Sequence, residues 1–286
     1  MLSKKAQLSF YLLYAWRKLF FNLLEVKKPV GKLYLANLFH FLSKFYAKLD
    51  WKRFAGLKLV VTIFGTFSVR PHTFDVICAA PDFERPDVDF TLKIISQALT
   101  AKRRIIYLDV GANFGLYSII VGNAFKADQN IKIYGFEPVK ESYQLFVKNV
   151  EHNSLADKVM PLNFGLGEKN GEGDLLLGEE GEGSDSLSAK LIGGPNTVRI
   201  LLKQLDGLGL AKNNADILFI KLDVEKAEKR VLEGGRRTLG EFGEIYLMVE
   251  DSMDVSIRGY LQGYHFKEIA RMTPYNSFWY LTNEKN

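Results

Sequence analysis

The sequence predicts an α/β fold, with a seven-stranded, mostly parallel sheet covered by helices, closed by a C-terminal hairpin and preceded by a helical and β-rich extension. Three observations carry this reading. From Asp87 onward, short apolar runs alternate with amphipathic stretches of helical length, the pattern of a parallel sheet with covering helices. A turn bearing two glycines, Gly111-Ala112-Asn113-Phe114-Gly115, joins the first of these runs to the first following helix. The charge is divided: residues 1–75 hold 13 Lys/Arg against 3 Asp/Glu, whereas residues 76–286 hold 25 against 30. A basic leader on a mildly acidic body implies that the two parts meet different partners. We therefore divide the chain into an extension, 1–86, and a ligand-binding domain, 87–286.

Residues 6–49 read as two helices separated by Lys27-Lys28-Pro29-Val30-Gly31. The second is amphipathic. Leu35, Leu38, Phe39, Leu42, Phe45, Tyr46 and Leu49 follow helical spacing, with Asn37, His40, Lys44 and Lys48 opposite. Two readings stay open: the apolar stripe packs on the protein body or a second copy of the chain, or it lies on an anionic membrane surface. The apolar run Leu8 to Leu24 is interrupted by Arg17-Lys18, short of a membrane span. No small-residue cleavage site follows it, so a cytoplasmic protein is expected, peripheral at the inner membrane surface if the helices contact lipid. The single cysteine, Cys78, excludes an internal disulfide and is expected to be a buried thiol.

Leu57–Phe64, Ser68–Arg70 and Phe74–Ala79 are expected as a β-meander. The regular alternation then runs through helix Phe90–Ala101, strand Ile105–Asp109, helix Leu116–Ala124, strand Ile131–Phe136, helix Glu141–Asn153 and strand Val159–Phe164. Gly178–Gly194 is Gly/Glu/Ser-rich and reads as a surface loop. It is either a lid carrying Ser184, Ser186 and Ser188 or a solvated insertion. Strand Ile217–Asp223, helix Glu225–Leu239, strand Glu244–Glu250 and a helix near Val255–Gln262 follow. Phe266–Arg271 and Ser277–Thr282 then form the hairpin.

The ligand signal lies in Leu108-Asp109-Val110-Gly111-Ala112-Asn113-Phe114-Gly115 and, one strand later, in Tyr134-Gly135-Phe136-Glu137-Pro138. A turn at the carboxyl end of a parallel strand is where such folds bind ligands, and an acid ending the next strand suits the two hydroxyls of a ribose. The turn lacks the paired G-x-G of a dinucleotide site, and the chain has no phosphate-binding P-loop. A nucleoside with a carboxylate and no diphosphate fits, which describes S-adenosyl-L-methionine. The expected cofactor-binding set is Asp109, Gly111, Ala112, Asn113, Gly115, Glu137, Pro138 and Asn163.

With these residues in place, the chain resembles the FkbM family of methyltransferases from about Phe74 to Glu250. Beyond the two strand ends, Gln204-Leu205-Asp206 resembles the family's T-L-D. Ile220-Lys221-Leu222-Asp223-Val224-Glu225-Lys226-Ala227-Glu228 resembles its K-I-D-V-E-G-A-E, and Val231-Leu232-Glu233-Gly234 its V-L-x-G. Two positions depart: Lys226 replaces the family glycine, and Ser252 stands where many members place a histidine after Glu250. The resemblance implies a Rossmann-like class I methyltransferase fold and O-methylation of sugars or secondary metabolites.

Methyl transfer to an alcohol requires alignment of donor and acceptor and removal of the acceptor proton. Asp223, Glu225 and Glu250 are the expected catalytic residues, in that order; helix capping is the competing role for Asp223, and first-turn stabilisation for Glu225 and Glu228. Acidic oxygens suit Mg²⁺, but no metal is expected, and His72, His152 and His265 are scattered singly. The expected partners are a small-molecule, glycan or glycolipid acceptor, a peripheral membrane contact through the basic helices and a second copy of the chain. Nucleic acid is not expected, because the acidic body disfavours phosphate tracking. The competing functions are a non-catalytic cofactor-binding scaffold at a membrane, an RNA methyltransferase and a nicotinamide-dependent enzyme.

Overall fold

The computed structural model describes residues 58–71, 73, 75–80, 83–176, 197–210, 216–224, 226–251 and 256–283. The N-terminal helices, the 178–194 loop, Glu225 and Ser252 lie outside the described residues. The chain divides into two compact units, Met1–Arg85 and Pro86–Asn286.

In the first unit, strands β1 (Leu59–Thr62) and β2 (Gly65–Ser68) form an antiparallel hairpin. Phe74–Ala79, expected as a strand, is instead the four-residue helix α1 (Asp75–Cys78). Local polar contacts override the β preference of Val76 and Ile77. The Thr73 hydroxyl accepts a hydrogen bond from the Asp75 N–H, and the Asp75 carboxylate takes both forks of Arg70 at 3.0 and 2.9 Å. Cys78, expected to be buried, is partly exposed.

The second unit carries helix α2 (Arg85–Thr100), strand β3 (Ile105–Val110), helix α3 (Leu116–Ala124), strand β4 (Ile131–Phe136), helix α4 (Lys140–His152) and strand β5 (Val159–Leu162). Strands β6 (Gly165–Leu166), β7 (Gly171–Leu176) and β8 (Thr197–Lys203) come next, then strand β9 (Ile217–Leu222). Helices α5 (Glu228–Glu233) and α6 (Arg236–Glu241), strand β10 (Glu244–Glu250), helix α7 (Ser256–Gly263) and strands β11 (Lys267–Ala270) and β12 (Asn276–Thr282) complete it.

The main sheet has seven strands in the order β5-β4-β3-β9-β10-β12-β11. Pairing is parallel from β5 to β10, while β12 runs antiparallel to both β10 and β11. The fold class is therefore the expected Rossmann-like class I methyltransferase arrangement, hairpin included. Central strands β3 and β9 are buried along their whole length, as strands covered on both faces must be. Period-two alternation then sorts their side chains. Ile106, Leu108, Val110, Leu218, Ile220 and Leu222 join the core that contains Val231, Leu232, Leu239 and Leu261. Tyr107 stacks on Phe219 on the opposite face, with ring centroids 5.3 Å apart.

Two features were not expected. Strands β6, β8 and β7 form a separate three-stranded sheet, with Val139, Leu175 and Ile200 as its core. The single helix Glu225–Leu239 is two short helices, interrupted at Gly234-Gly235. A Cβ on Gly234 would lie 2.0 Å from the Gly167 carbonyl oxygen, so the helix yields to a backbone approach that only glycine allows. Among the described residues, no helix is long and apolar enough to cross a membrane.

A buried acid ties α2 to β12. Asp87 is fully buried, and its Oδ2 accepts hydrogen bonds from Thr273 Oγ1 at 2.7 Å and Asn276 Nδ2 at 3.1 Å. Burial pushes its carboxyl up to about 6, against the lowering effect of those donors and Arg271. A carboxyl raised in the fold contributes stability that is complete below the unfolded value, near 3.8, and is lost as pH rises through about 6. Asp87→Asn keeps an acceptor for both donors and removes the charge. It is expected to stabilise the protein at pH 8 by about 1–3 kcal/mol, since the shift from 3.8 to about 6 bounds the effect near 3 kcal/mol. The gain should shrink towards zero at pH 4, as read by urea unfolding at both values.

Candidate active site

The site lies at the carboxyl ends of β4, β3, β9 and β10. The chain builds outward from β3 to β5, then crosses back and builds from β9 towards the other edge. The crevice beyond such a reversal is where open α/β sheets hold ligands. Gly111 closes its floor. It has φ +82°, and a Cβ there would sit 1.8 Å from the Asp223 carbonyl oxygen. The Gly111 and Ala112 N–H groups both donate to the Phe136 carbonyl, at 3.1 and 3.0 Å, and the Asp223 N–H donates to the Val110 carbonyl at 3.1 Å. Three strand ends are thus laced together at one point. Gly115, at φ +84°, lets α3 start against the Phe146 ring, which a Cβ would meet at 2.1 Å.

The expected cofactor-binding residues gather here, in two layers. Asp109 is fully buried beneath the crevice. Its Oδ2 accepts from the Ser118 N–H at 2.9 Å and the Ser118 hydroxyl at 2.8 Å, so it caps α3 from the strand. Glu137 is 1% exposed. Its Oε2 accepts from the Asn113 N–H and its Oε1 from the Val139 N–H, both at 2.8 Å. Asn163 donates from Nδ2 to the carbonyls of Glu137 at 2.9 Å and Pro138 at 3.1 Å, holding the turn that presents the acid. A carboxylate held at the end of the strand next to the glycine turn is placed where a ribose diol would donate to it. The residues present therefore suit an adenosyl cofactor.

On the other side of the reversal stand the acids expected to act on the acceptor. Lys221, Asp223 and Glu250 share the sheet face of Tyr107 and Phe219, as strand alternation and the register Met248↔Lys221 require. Asp223 Oδ2 accepts from Lys221 Nζ at 3.0 Å, and its side chain keeps 37% exposure. Burial alone would raise the Asp223 carboxyl. The Lys221 ammonium and a hydrogen bond shared with Glu250 outweigh it and hold Asp223 below the ordinary aspartate range. Asp223 makes no side-chain cap on α5, whose N-cap is Ala227. Glu228 takes that local duty. It is buried, and its Oε1 accepts from the Val224 N–H at 3.3 Å and the Lys226 N–H at 3.1 Å. Burial raises its carboxyl, the hydrogen bonds lower it and Asp223 raises it, with a net upward shift. Among the described residues, no group of three or more His, Cys, Asp or Glu is arranged to hold a metal ion.

Of the two family departures, Lys226 lies among the described residues and Ser252 does not. Lys226 has φ +75° and an exposed side chain, so the backbone there favours glycine. Lys226→Gly is expected to stabilise the fold by up to about 1 kcal/mol, relief of the left-handed strain being partly offset by glycine's larger unfolded entropy. An unchanged or lower urea midpoint would contradict this. After Glu250, Asp251 is a buried anchor rather than part of the mouth: its Oδ2 accepts from Arg258, Arg271 and Ser277. Asp206, of the Gln204-Leu205-Asp206 element, accepts from the Thr238 N–H at 2.7 Å and the Arg237 N–H at 3.1 Å, and so caps α6.

Sequence reasoning missed Lys221. The available signal is a lone cation inside the otherwise apolar strand Ile217-Leu218-Phe219-Ile220-Lys221-Leu222, two residues before an acid. Such a spacing puts both side chains on one sheet face.

A family model described as "Methyltransferase FkbM domain" matches residues 109–271. Comparison with curated proteins finds no match. Solved structures similar to this chain include a human methyltransferase 10 domain containing protein, at 11% identity, covering 70% of this chain and 82% of that one, with a TM-score of 0.41. The M. capricolum TrmK in complex with S-adenosyl-homocysteine is 12% identical over 68% and 69% of the two chains, with a TM-score of 0.36. The B. subtilis M1A22 tRNA methyltransferase TrmK is 11% identical over 61% and 58%, with a TM-score of 0.33. The chain spans between 64% and 68% of the length of the first three structures matched.

Proposed function

The chain belongs to the FkbM family of S-adenosylmethionine-dependent methyltransferases, and from that premise we propose that it methylates a hydroxyl of a carbohydrate, glycolipid or secondary-metabolite acceptor. The observation that carries the reading is Asp223, a partly exposed carboxylate kept ionised at the edge of the crevice floored by Gly111. When bound, S-adenosylmethionine supplies an electrophilic methyl group on a sulfonium. Gly111, Ala112, Asn113 and Gly115 would shape the turn against its amino-acid portion, and Glu137, whose turn with Pro138 is braced by Asn163, would hold the ribose. Asp223 would orient the acceptor hydroxyl and receive its proton as the C–O bond forms and the methyl C–S bond breaks, the sulfonium leaving as a neutral thioether. A weak base suffices, because the hydroxyl becomes strongly acidic as its oxygen gains the methyl group. Glu250, hydrogen-bonded with Asp223, helps to fix its orientation, and Glu225 is the second candidate at the same strand end.

An acidic mouth also favours a neutral polyol over a phosphorylated acceptor. The basic charge of residues 1–75 supports recruitment to an anionic membrane surface, where such acceptors are anchored. The test is to incubate the protein with methyl-labelled S-adenosylmethionine and an extract of its native host, then separate glycan, lipid and RNA pools. Base-stable label in the glycan or lipid pool supports the reading. Label confined to RNA contradicts it.

A further inference from the structure

Beneath the mouth lies a buried cation to which the reaction described above assigns no role. Lys221 is 7% exposed at its side chain. Its Nζ lies 3.0 Å from Asp223 Oδ2 and 3.6 Å from Asp109 Oδ1, and 5.2 Å from the centre of the Tyr117 ring. Asp109 and Lys221 are direct cross-strand partners between β3 and β9. Asp109 Oδ1 is buried and makes no hydrogen bond, because Ser118 engages only Oδ2.

Burying an ammonium costs several kcal/mol unless carboxylates neutralise it. Here two do, and they differ in kind. Asp109 is sealed in the core and serves as a fixed counter-charge, while Asp223 opens towards solvent. Among the described residues, the charged and titratable groups around Asp223 include Lys221 on its own strand, Asp109 on β3, Glu250 on β10, Glu228 on α5 and the Tyr117 ring on α3. Of these, Lys221 is the cation.

We propose that Lys221 is a positioning residue for methyl transfer: anchored on Asp109, it holds the Asp223 carboxylate ionised and in one orientation, with its exposed portion free for the acceptor hydroxyl. This rests on the assignment of Asp223 to the acceptor. The bridge also ties the acceptor acid to α3, since Asp109 binds the first turn of that helix through Ser118. The cofactor side and the acceptor side of the crevice are thus joined by one chain of contacts, Ser118–Asp109–Lys221–Asp223.

The test is a carboxyl titration of the full chain labelled with ¹³Cγ-aspartate, in the wild type, Lys221→Met and Lys221→Arg, with Asp223→Asn identifying the signal. The Asp223 midpoint is expected below the ordinary aspartate range in the wild type. It should rise by about one unit or more in Lys221→Met and recover in part in Lys221→Arg. Label transfer to the host extract at pH 7 should fall at least about tenfold in Lys221→Met, the acid limb of its pH dependence moving up with the midpoint. Calorimetry with S-adenosylmethionine should show the cofactor still bound. A midpoint unmoved in Lys221→Met, or one that moves while transfer is unaffected, overturns the assignment. If Lys221→Met does not fold, a wild-type midpoint at or above the ordinary range overturns it instead. No transfer by the wild type sinks the proposed function and this assignment together, whereas transfer with an unmoved midpoint sinks this one alone.

Discussion

Asp223→Ala is expected to lower methyl transfer by about 10²- to 10⁴-fold, the range a positioned proton acceptor supplies, while S-adenosylmethionine affinity stays within a few-fold. The asymmetry follows from position. Asp223 directly follows β9 on the acceptor side of the reversal, and its contacts include Lys221 and Glu250, whereas the turn on the cofactor side is built by Phe136, Glu137 and Asn163. The fold should survive, because Lys221 keeps Asp109 at 3.6 Å as a counter-charge. A carboxyl lowered in the fold adds stability above its unfolded value and loses it as pH falls through the folded one. The variant should therefore lose most above about pH 4 and match the wild type in strong acid. Wild-type turnover in Asp223→Ala would refute the role given to this residue.

Gly111→Ala should be the most damaging single change in the domain. The added Cβ would be 1.8 Å from the Asp223 carbonyl oxygen, on a backbone at φ +82°. The left-handed conformation costs an L-residue about 1–2 kcal/mol, and overpacking adds about 1–3 kcal/mol. Here the obstacle is backbone at the end of a central strand, so no rotamer change relieves it. A loss of several kcal/mol is a large share of the roughly 5–15 kcal/mol that stabilises a domain. Relief by parting β3 from β9 opens the crevice floor. Urea unfolding should show the loss, and calorimetry should show cofactor binding weakened by more than tenfold at a temperature where the variant remains folded.

The sequence was most legible where hydrophobic period and turn chemistry agree. Ile131–Phe136, Leu116–Ala124 and Glu244–Glu250 have the bounds read from the residues alone, because each is a sustained pattern with clear ends. The terminal hairpin was legible for the same reason, with Thr273-Pro274-Tyr275 between its strands. β7, Gly171–Leu176, was not, because glycine and acids hide a strand whose ladder to β8 comes from residues distant in sequence. The break at Gly234-Gly235 was missed because its cause, the approach of Gly167, is tertiary.

In the site, residue choice was more legible than side-chain direction. Gly111, Asn113 and Glu137 do converge at one strand-end crevice. Yet Glu137 first satisfies two backbone N–H groups, and Asp109 works from below through Ser118 and Lys221. A strand-end acid has the same letter whether it serves a ligand or the turn that holds the ligand.

The most direct measurement is a crystal structure of the chain with S-adenosylhomocysteine. The account predicts the amino-acid tail over the Gly111 turn and both ribose hydroxyls donating to Glu137, with the sulfur facing the Asp223 side. A nucleoside seated away from the β3–β9 reversal, with neither ribose hydroxyl on Glu137, would contradict it.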